Sequence, residues 1–429
     1  MLRRIAVALV AAGALAAPAV AQDLAATWRA LDYGDEATAR AEFARRAAEA
    51  SLWQAVASRG EARKAAAERA LAAAPDAGGW LAAAARGLIA EAAGDGVAAT
   101  AALREAASAA PRDARLWKLL GDQLRAAEDL PGATEAYQRA VQLQPAYPAA
   151  NLALGELARQ RSDFGAAFNA FNHAVDESDR PLGALIGRAA ARLYMGDSEG
   201  ALDDLRRAAA GASPGPDRSR ALLGQLYVHT YLRQLPRGLD QAELAVRMWQ
   251  ELGRAEQVAA AANAVGRVLL ETGDAVAAAG WYERGWQAIE GSDLAPAART
   301  IWHVRYLHGM ARSAAARREL DRAESLAAEA ASLMASDPAN AEHYAWIGPY
   351  LTGYLHLAQR RNEEAVTELR KSDLERPYIR YLLAEAYARL RDRAAAREWY
   401  QKALEAANGL EPESVIVRPL ATAWLAKNR

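Results

Sequence analysis

From Trp117 onward the sequence sets out residue sizes in a fixed order: Trp117, the pair Leu120-Gly121, Leu124, then Ala133, Tyr137, Ala140 and Pro145. The same sizes return at Leu154-Gly155, Ala167, Phe171 and Ala174, a step of 155 − 121 = 34 residues. One step earlier they fall on Gly87, Ala99, Leu103, Ala106 and Pro111, and one step later on Ala189, Ala201, Leu205 and Ala208. A fixed period of this length marks a supersecondary unit that buries its apolar face only by stacking on copies of itself. The sizes have packing reasons. Gly121 and Ala133 are small where two antiparallel helices touch, Tyr137 fills the space beside them, and Pro145 ends the second helix.

Beyond Pro214 the register persists but widens. Gly224, Gly266, Ala311 and Gly353 fit as the next contact points, with separations of 42, 45 and 42 residues. Longer helices or turns are expected there. Within one such unit, Gly266, Leu269, Ala278, Tyr282 and Gly285 keep the order, and Gly273-Asp274 supplies its turn, as Gly196-Asp197 does earlier. A compact last unit holds Leu383-Ala384, Tyr387, Ala396, Tyr400 and Ala403.

This pattern resembles the tetratricopeptide repeat. The resemblance implies an all-α fold, a right-handed α-solenoid of stacked antiparallel helix pairs, and the abundant Ala favours helix independently. It divides the chain into regular repeats over 79–216, wider-spaced repeats over 217–407 and a C-terminal capping helix within 408–429. The apolar side of that helix (Val417, Leu420, Leu425) is expected to cover the last repeat. Residues 22–78 read as irregular N-terminal helical hairpins around Trp28, Phe43 and Trp53, as terminal repeats often are. Residues 1–21 read as a signal peptide: Arg3 and Arg4, the apolar run Ile5 to Ala17, then Ala19-Val20-Ala21, with cleavage after Ala21. A periplasmic location is expected, with secretion the alternative. The apolar run is shorter than the roughly 20 residues of a spanning helix.

The resemblance also implies a scaffold for a protein or peptide partner, held in a concave groove lined by the first helix of each pair. Groove positions fall three residues before and one after the small contact residue. They are Lys118 and Asp122, Leu152 and Glu156, Ile186 and Ala190, Ala221 and Gln225. Further along come Asn263 and Arg267, His308 and Arg312, Tyr350 and Tyr354, Tyr381 and Glu385. The C-terminal half gathers Asn263, Arg267, Arg305, His308, Arg312, Tyr350, Tyr354, Tyr378 and Tyr381, the residue types of binding hot spots. An extended segment with acidic or C-terminal carboxylate character is expected to face Arg267, Arg305 and Arg312. A chaperone-tail clamp does not fit. Lys118 stands at a plausible clamp position, but Asp122 occupies the place of its Asn.

Fifty-two basic against 53 acidic side chains give a formal charge of -1, which moves to -3 without the first 21 residues. Nucleic acid is therefore not an expected partner. No Cys is present, so thiol chemistry, disulfides and Cys-based metal sites are excluded. The six histidines (His173, His229, His303, His308, His343, His356) form no metal-ligand spacing, and no phosphate loop or nucleophile elbow appears. Asp203-Asp204 and Glu363-Glu364 read as solvated or as helix-start carboxylates. No cofactor, metal or catalytic residue is expected. Two alternatives to the peptide scaffold remain: a structural subunit of an envelope assembly (secretion, polysaccharide export or outer-membrane biogenesis) and an enzyme with an unrecognised site.

Overall fold

The computed structural model describes residues 36–74 and 79–428, so the expected signal peptide, Trp28 and the side chain of Phe43 lie outside the described residues. Every regular element described is helical: 22 α-helices and one short 3-10 turn, with no strand among the described residues. The fold is the expected all-α solenoid of antiparallel helix pairs.

The chain divides after Leu154 into two compact units. The first holds the pairs α1 (Glu36–Ala57) and α2 (Gly60–Ala73), α3 (Trp80–Ala92) and α4 (Gly96–Ala109), α5 (Ala114–Ala126) and α6 (Leu130–Leu143). Helix α7 (Pro148–Gln160) runs across the division. The second unit continues with α8 (Phe164–Asp176), then α9 (Leu182–Tyr194) with α10 (Ser198–Gly211). Next are α11 (Pro216–Tyr231) with α12 (Leu235–Glu251), α13 (Ala255–Glu271) with α14 (Ala275–Glu290), and α15 (Pro296–Ala316) with α16 (Leu320–Ala335). A one-turn α17 (Ala341–Tyr344) precedes α18 (Ile347–Ala358) with α19 (Asn362–Leu369), α20 (Pro377–Arg389) with α21 (Arg393–Ala406), and the single α22 (Pro412–Lys427).

In five of the pairs a glycine on the first helix meets a large residue sixteen positions later on the second. A Cβ added at Gly121 would come within 2.6 Å of the Tyr137 ring, and one at Gly155 within 2.6 Å of Phe171. Gly87 meets Leu103, Gly266 meets Tyr282 and Gly353 meets Leu369 in the same way. A second close approach, two residues earlier, faces the preceding pair: Gly187 against Phe171 and Gly309 against Tyr282. Gly224 belongs to this second class, since it abuts Leu205 of the preceding pair. The in-pair contact of α11 is Leu226, whose Cα lies 2.8 Å from a Cβ built on Gly238. The expected groove positions Ala221 and Gln225 are therefore two residues out of register, and both are buried.

Several turns inside the pairs share one device, whereas those at Arg233, Arg318 and Arg360 lead into helices without a side-chain cap. A left-handed residue (Gly94, Glu128, Ser162, Gly196) is followed by an Asp that caps the second helix. Asp95, Asp129, Asp163 and Asp197 each accept the backbone N–H three residues on, at 2.9 to 3.0 Å. That satisfies an otherwise orphaned helix-start donor. The widening after Pro214 comes from helix length. The paired helices α3 to α6 have 13 or 14 residues, whereas α15 has 21.

Two placements differ from expectation. Asp204 is fully buried, not solvated, and its carboxylate takes two hydrogen bonds from Arg188, at 2.9 and 2.6 Å. Helix α22 covers the last pair but also packs against α11 and α13, far up the chain. Val417 is buried on it as expected, while Leu420 is 37% exposed.

Candidate functional site

Residues three and four apart on a helix share a face, so the first helices of four successive pairs in the second unit each gather such side chains on the face expected to line the groove. Helix α13 supplies Asn263, Arg267 and Glu271, α15 supplies Arg305, His308 and Arg312, α18 supplies Tyr350 and Tyr354, and α20 supplies Tyr378 and Tyr381. The nine expected residues lie together with Glu271, but a large part of the cluster is buried: Arg312 is 2% exposed, Tyr350 0% and Tyr378 3%.

Two carboxylates of the chain itself organise the cluster. Glu271 accepts hydrogen bonds from Arg312 and from the Tyr378 hydroxyl. The Arg312 guanidinium lies over three rings, 5.3 Å from Tyr350, 4.9 Å from Tyr354 and 5.5 Å from Tyr378. Burial works against its charge, but the Tyr350, Glu271 and Tyr378 groups raise its pKa well above the ordinary value, and it stays a cation. Glu413, in the first turn of α22, is the second. It accepts from Arg267 Nη1 at 2.8 Å, from Arg376, and from the Tyr378 backbone N–H at 3.4 Å. Burial pushes its carboxyl up, yet Arg267 and Arg376 together hold it below the usual carboxylate range.

The carboxylate expected from a ligand is thus supplied from within at Arg267 and Arg312. Arg305 is different. It stacks 4.8 Å over the Trp302 ring and touches His343 Nε2 at 3.2 Å, with no acidic partner in an ion pair among the described residues. Burial, and then the nearby Arg376, lower its pKa. His308 lies 4.9 Å from the Tyr350 ring and 6.3 Å from Trp346. Burial first, then Arg312, Arg267 and Arg376, push its imidazole well down, so it is neutral at physiological pH.

Helix α22 leaves three cavities along its flanks. One of about 610 Å³ lies at its N-terminal end, between Asn263, Arg267, Arg305, His308, Arg376 and Trp346. A second of about 690 Å³ is walled by Tyr354, Tyr378, Tyr381, Glu271 and Leu420. A third of about 550 Å³ lies by Leu239, Leu269, Val415, Ile416 and Pro419. The first holds four guanidinium groups (Arg267, Arg305, Arg312, Arg376) against the carboxylates of Glu375, Glu411 and Glu413. Glu375 is drawn off by Arg380 at 3.0 Å. Arg267 Nε and Nη2, Arg376 Nε and His308 Nε2 are buried there without a hydrogen-bond partner among the described residues.

Arg376, Trp346, Glu271 and Glu413 were missed by the sequence reading. Glu271 had a signal, because it lies one turn after Arg267 on the same face. Glu413 had none, since its partner Arg267 is 146 residues away. In the first unit, Lys118 is neutralised by Asp122 at 2.6 Å, and Asp122 also accepts from the Tyr137 hydroxyl at 2.8 Å. That pair is tied up in packing its own repeat.

No known protein family matches the sequence by its profile, and no curated protein matches it. Solved structures resemble it in part. The Pseudomonas aeruginosa protein pilF is 17% identical over 49% of this chain and 97% of its own, with a TM-score of 0.40. A tetratricopeptide repeat protein from Parabacteroides merdae is 14% identical over 81% of this chain and 98% of its own, at 0.33. YrrB, described as a TPR protein with an unusual peptide-binding site, is 22% identical over 46% and 96%, at 0.32. All three scores lie below 0.5, so the fold assignment rests on the repeat in this chain's own residues.

Proposed function

We propose that this chain is an exported, non-enzymatic scaffold that holds a protein or peptide partner by an acidic segment, in the cavity between Asn263, Arg305, His308 and Arg376. One observation carries the reading: the excess of guanidinium over carboxylate in that cavity, together with buried donors on Arg267 and Arg376 that lack an acceptor. A charged donor left unpaired in a buried site is costly, and an incoming carboxylate would satisfy several at once. Trp302 and Trp346 supply flat apolar walls beside the charge, a combination typical of binding hot spots.

Arg305 is the residue to test, because it is the cation of the site that forms no ion pair among the described residues. Titration of the full chain with a fluorescein-labelled acidic octapeptide is expected to saturate, and Arg305→Ala to weaken binding about tenfold, the loss of one charge-assisted hydrogen bond. Equal affinity of the two proteins would sink the reading. Arg312→Ala is a poor probe, since Arg312 is buried against Glu271 and its loss acts on folding. The export half of the proposal is checked by expression in a Gram-negative host. The periplasmic chain is expected to begin at Gln22; a cytosolic chain retaining Met1 would refute it.

A further inference from the structure

Helix α22 enters the concave side of the second unit through a turn pinned to distant repeats. Asn408 Oδ1 accepts from Arg159 at 3.0 Å, its Nδ2 donates to the Gln160 carbonyl at 2.9 Å, and the Tyr194 hydroxyl donates to the Gly409 carbonyl at 2.6 Å. Past this anchor the helix occupies the concave face as a ligand would. Glu413 reaches the arginines, Val415, Ile416 and Val417 are buried, and Arg418 lies 4.6 Å over the Phe164 ring.

The seat is loose for a core helix. Three open clefts border it, so solvent reaches its flanks where a core helix would meet packed side chains. Donors on Arg267, Arg312 and Arg376 are left unmatched at its acidic end. Pro419 interrupts the helix interior, where it removes a ladder hydrogen bond. Its polar anchor is a buried ion pair, which contributes little net stability once desolvation is counted.

We propose that α22 is an internal ligand of the concave face, and that the partner displacing it is an amphipathic helix with an acidic first turn. This rests on the reading of the concave cavity as a carboxylate site. The occupant defines the partner's chemistry: a carboxylate in the first helical turn, aimed at Arg267 and Arg376, followed by β-branched apolar residues on one face. Such a helix enters a groove as a unit.

A synthetic peptide of residues 408–428 added in trans tests it. The full chain carrying Glu413→Gln, which keeps side-chain volume but removes the competing charge, is expected to bind this peptide about tenfold more tightly than the unaltered chain does. A peptide with Gln in place of Glu413 is expected to lose that binding. Hydrogen exchange gives a second measurement on the unaltered chain: amides of 412–427 are expected to lose protection at saturating peptide, while those of α20 and α21 keep theirs. Exchange unchanged by the peptide, or equal affinity of the two chains, would overturn the proposal. Should Glu413→Gln fail to fold, the exchange result decides alone. The unaltered chain separates the two readings: an octapeptide that fails to bind while the 408–428 peptide still exposes the amides of 412–427 removes the acidic-segment reading alone, and the reverse removes the internal-ligand reading alone.

Discussion

Arg312 is held by Glu271 on one side and by the rings of Tyr350, Tyr354 and Tyr378 on the other, at 2% exposure. Removing one member of a buried pair strands the other's charge, so Arg312→Ala is expected to cost about 3 kcal/mol, read as a lowered urea midpoint. Arg312→Lys should lose most of the same amount, since an ammonium has neither the planar face for three rings nor the fork for Glu271. A midpoint within error of the unaltered chain would remove Arg312 from this role. His308 carries a pH dependence of defined sign. Its folded pKa is lowered by burial and by the facing Arg312, Arg267 and Arg376, so below pH 6.5 the unfolded chain binds more protons than the folded one. Stability is intact above pH 6.5 and declines as the pH falls. By pH 5.5 the loss is capped at about 1.4 kcal/mol, one pH unit of linkage. Thermal melting of His308→Gln is expected to be flatter across that window. Both proteins should fall again below about pH 4.5, where the unfolded chain takes up a proton that folded Glu413, with its depressed pKa, still resists.

At the scale of the helix pair, the sequence could be read because the contact is local and repeats. Gly121 and Tyr137, Gly155 and Phe171, Gly266 and Tyr282 lie at one fixed separation on two helices joined by a short turn, so residue size alone exposes them. Gly121→Ala places a methyl 2.6 Å from the Tyr137 ring, and overpacking of this kind costs about 2 kcal/mol. Chemical denaturation measures it; a neutral Ala would mean that the ring has room to shift. The capping aspartates Asp95, Asp129, Asp163 and Asp197 share the 34-residue period, and only the Gly196-Asp197 turn was picked out from sequence. Gly224 misled because a glycine marks a close approach without saying which neighbour it faces. The concave residues were legible as a set, because helix spacing puts them on one face. Their pairing was not: Glu413 meets Arg267 across 146 residues, and no period in the sequence encodes a single long-range ion pair.

At the scale of the whole chain, the two compact units are expected to respond separately to the loss of the last helix. Ending the chain at Ala407 strips the second unit of buried Val415, Ile416 and Val417 and leaves Arg267 and Arg376 without Glu413. Full burial of such side chains is worth about 1.5 to 3 kcal/mol each, and an extended reference chain overstates this, so a loss on the order of 5 kcal/mol is expected. The first unit, ending at Leu154, is compact through its own internal contacts. Hydrogen exchange on the shortened chain should therefore show amides of α9 to α21 less protected and those of α2 to α6 unchanged. Equal loss in both units would mean that the chain unfolds as one cooperative body. The same shortened chain joins the energetic argument to the functional one. If α22 is an occupant and not a fixed part of the core, the peptide of residues 408–428 should restore protection to the second unit in trans, in proportion to its saturation. A partner helix with an acidic first turn should do the same, because what the face lacks is a carboxylate beside Arg267 and Arg376 and an apolar ridge behind it.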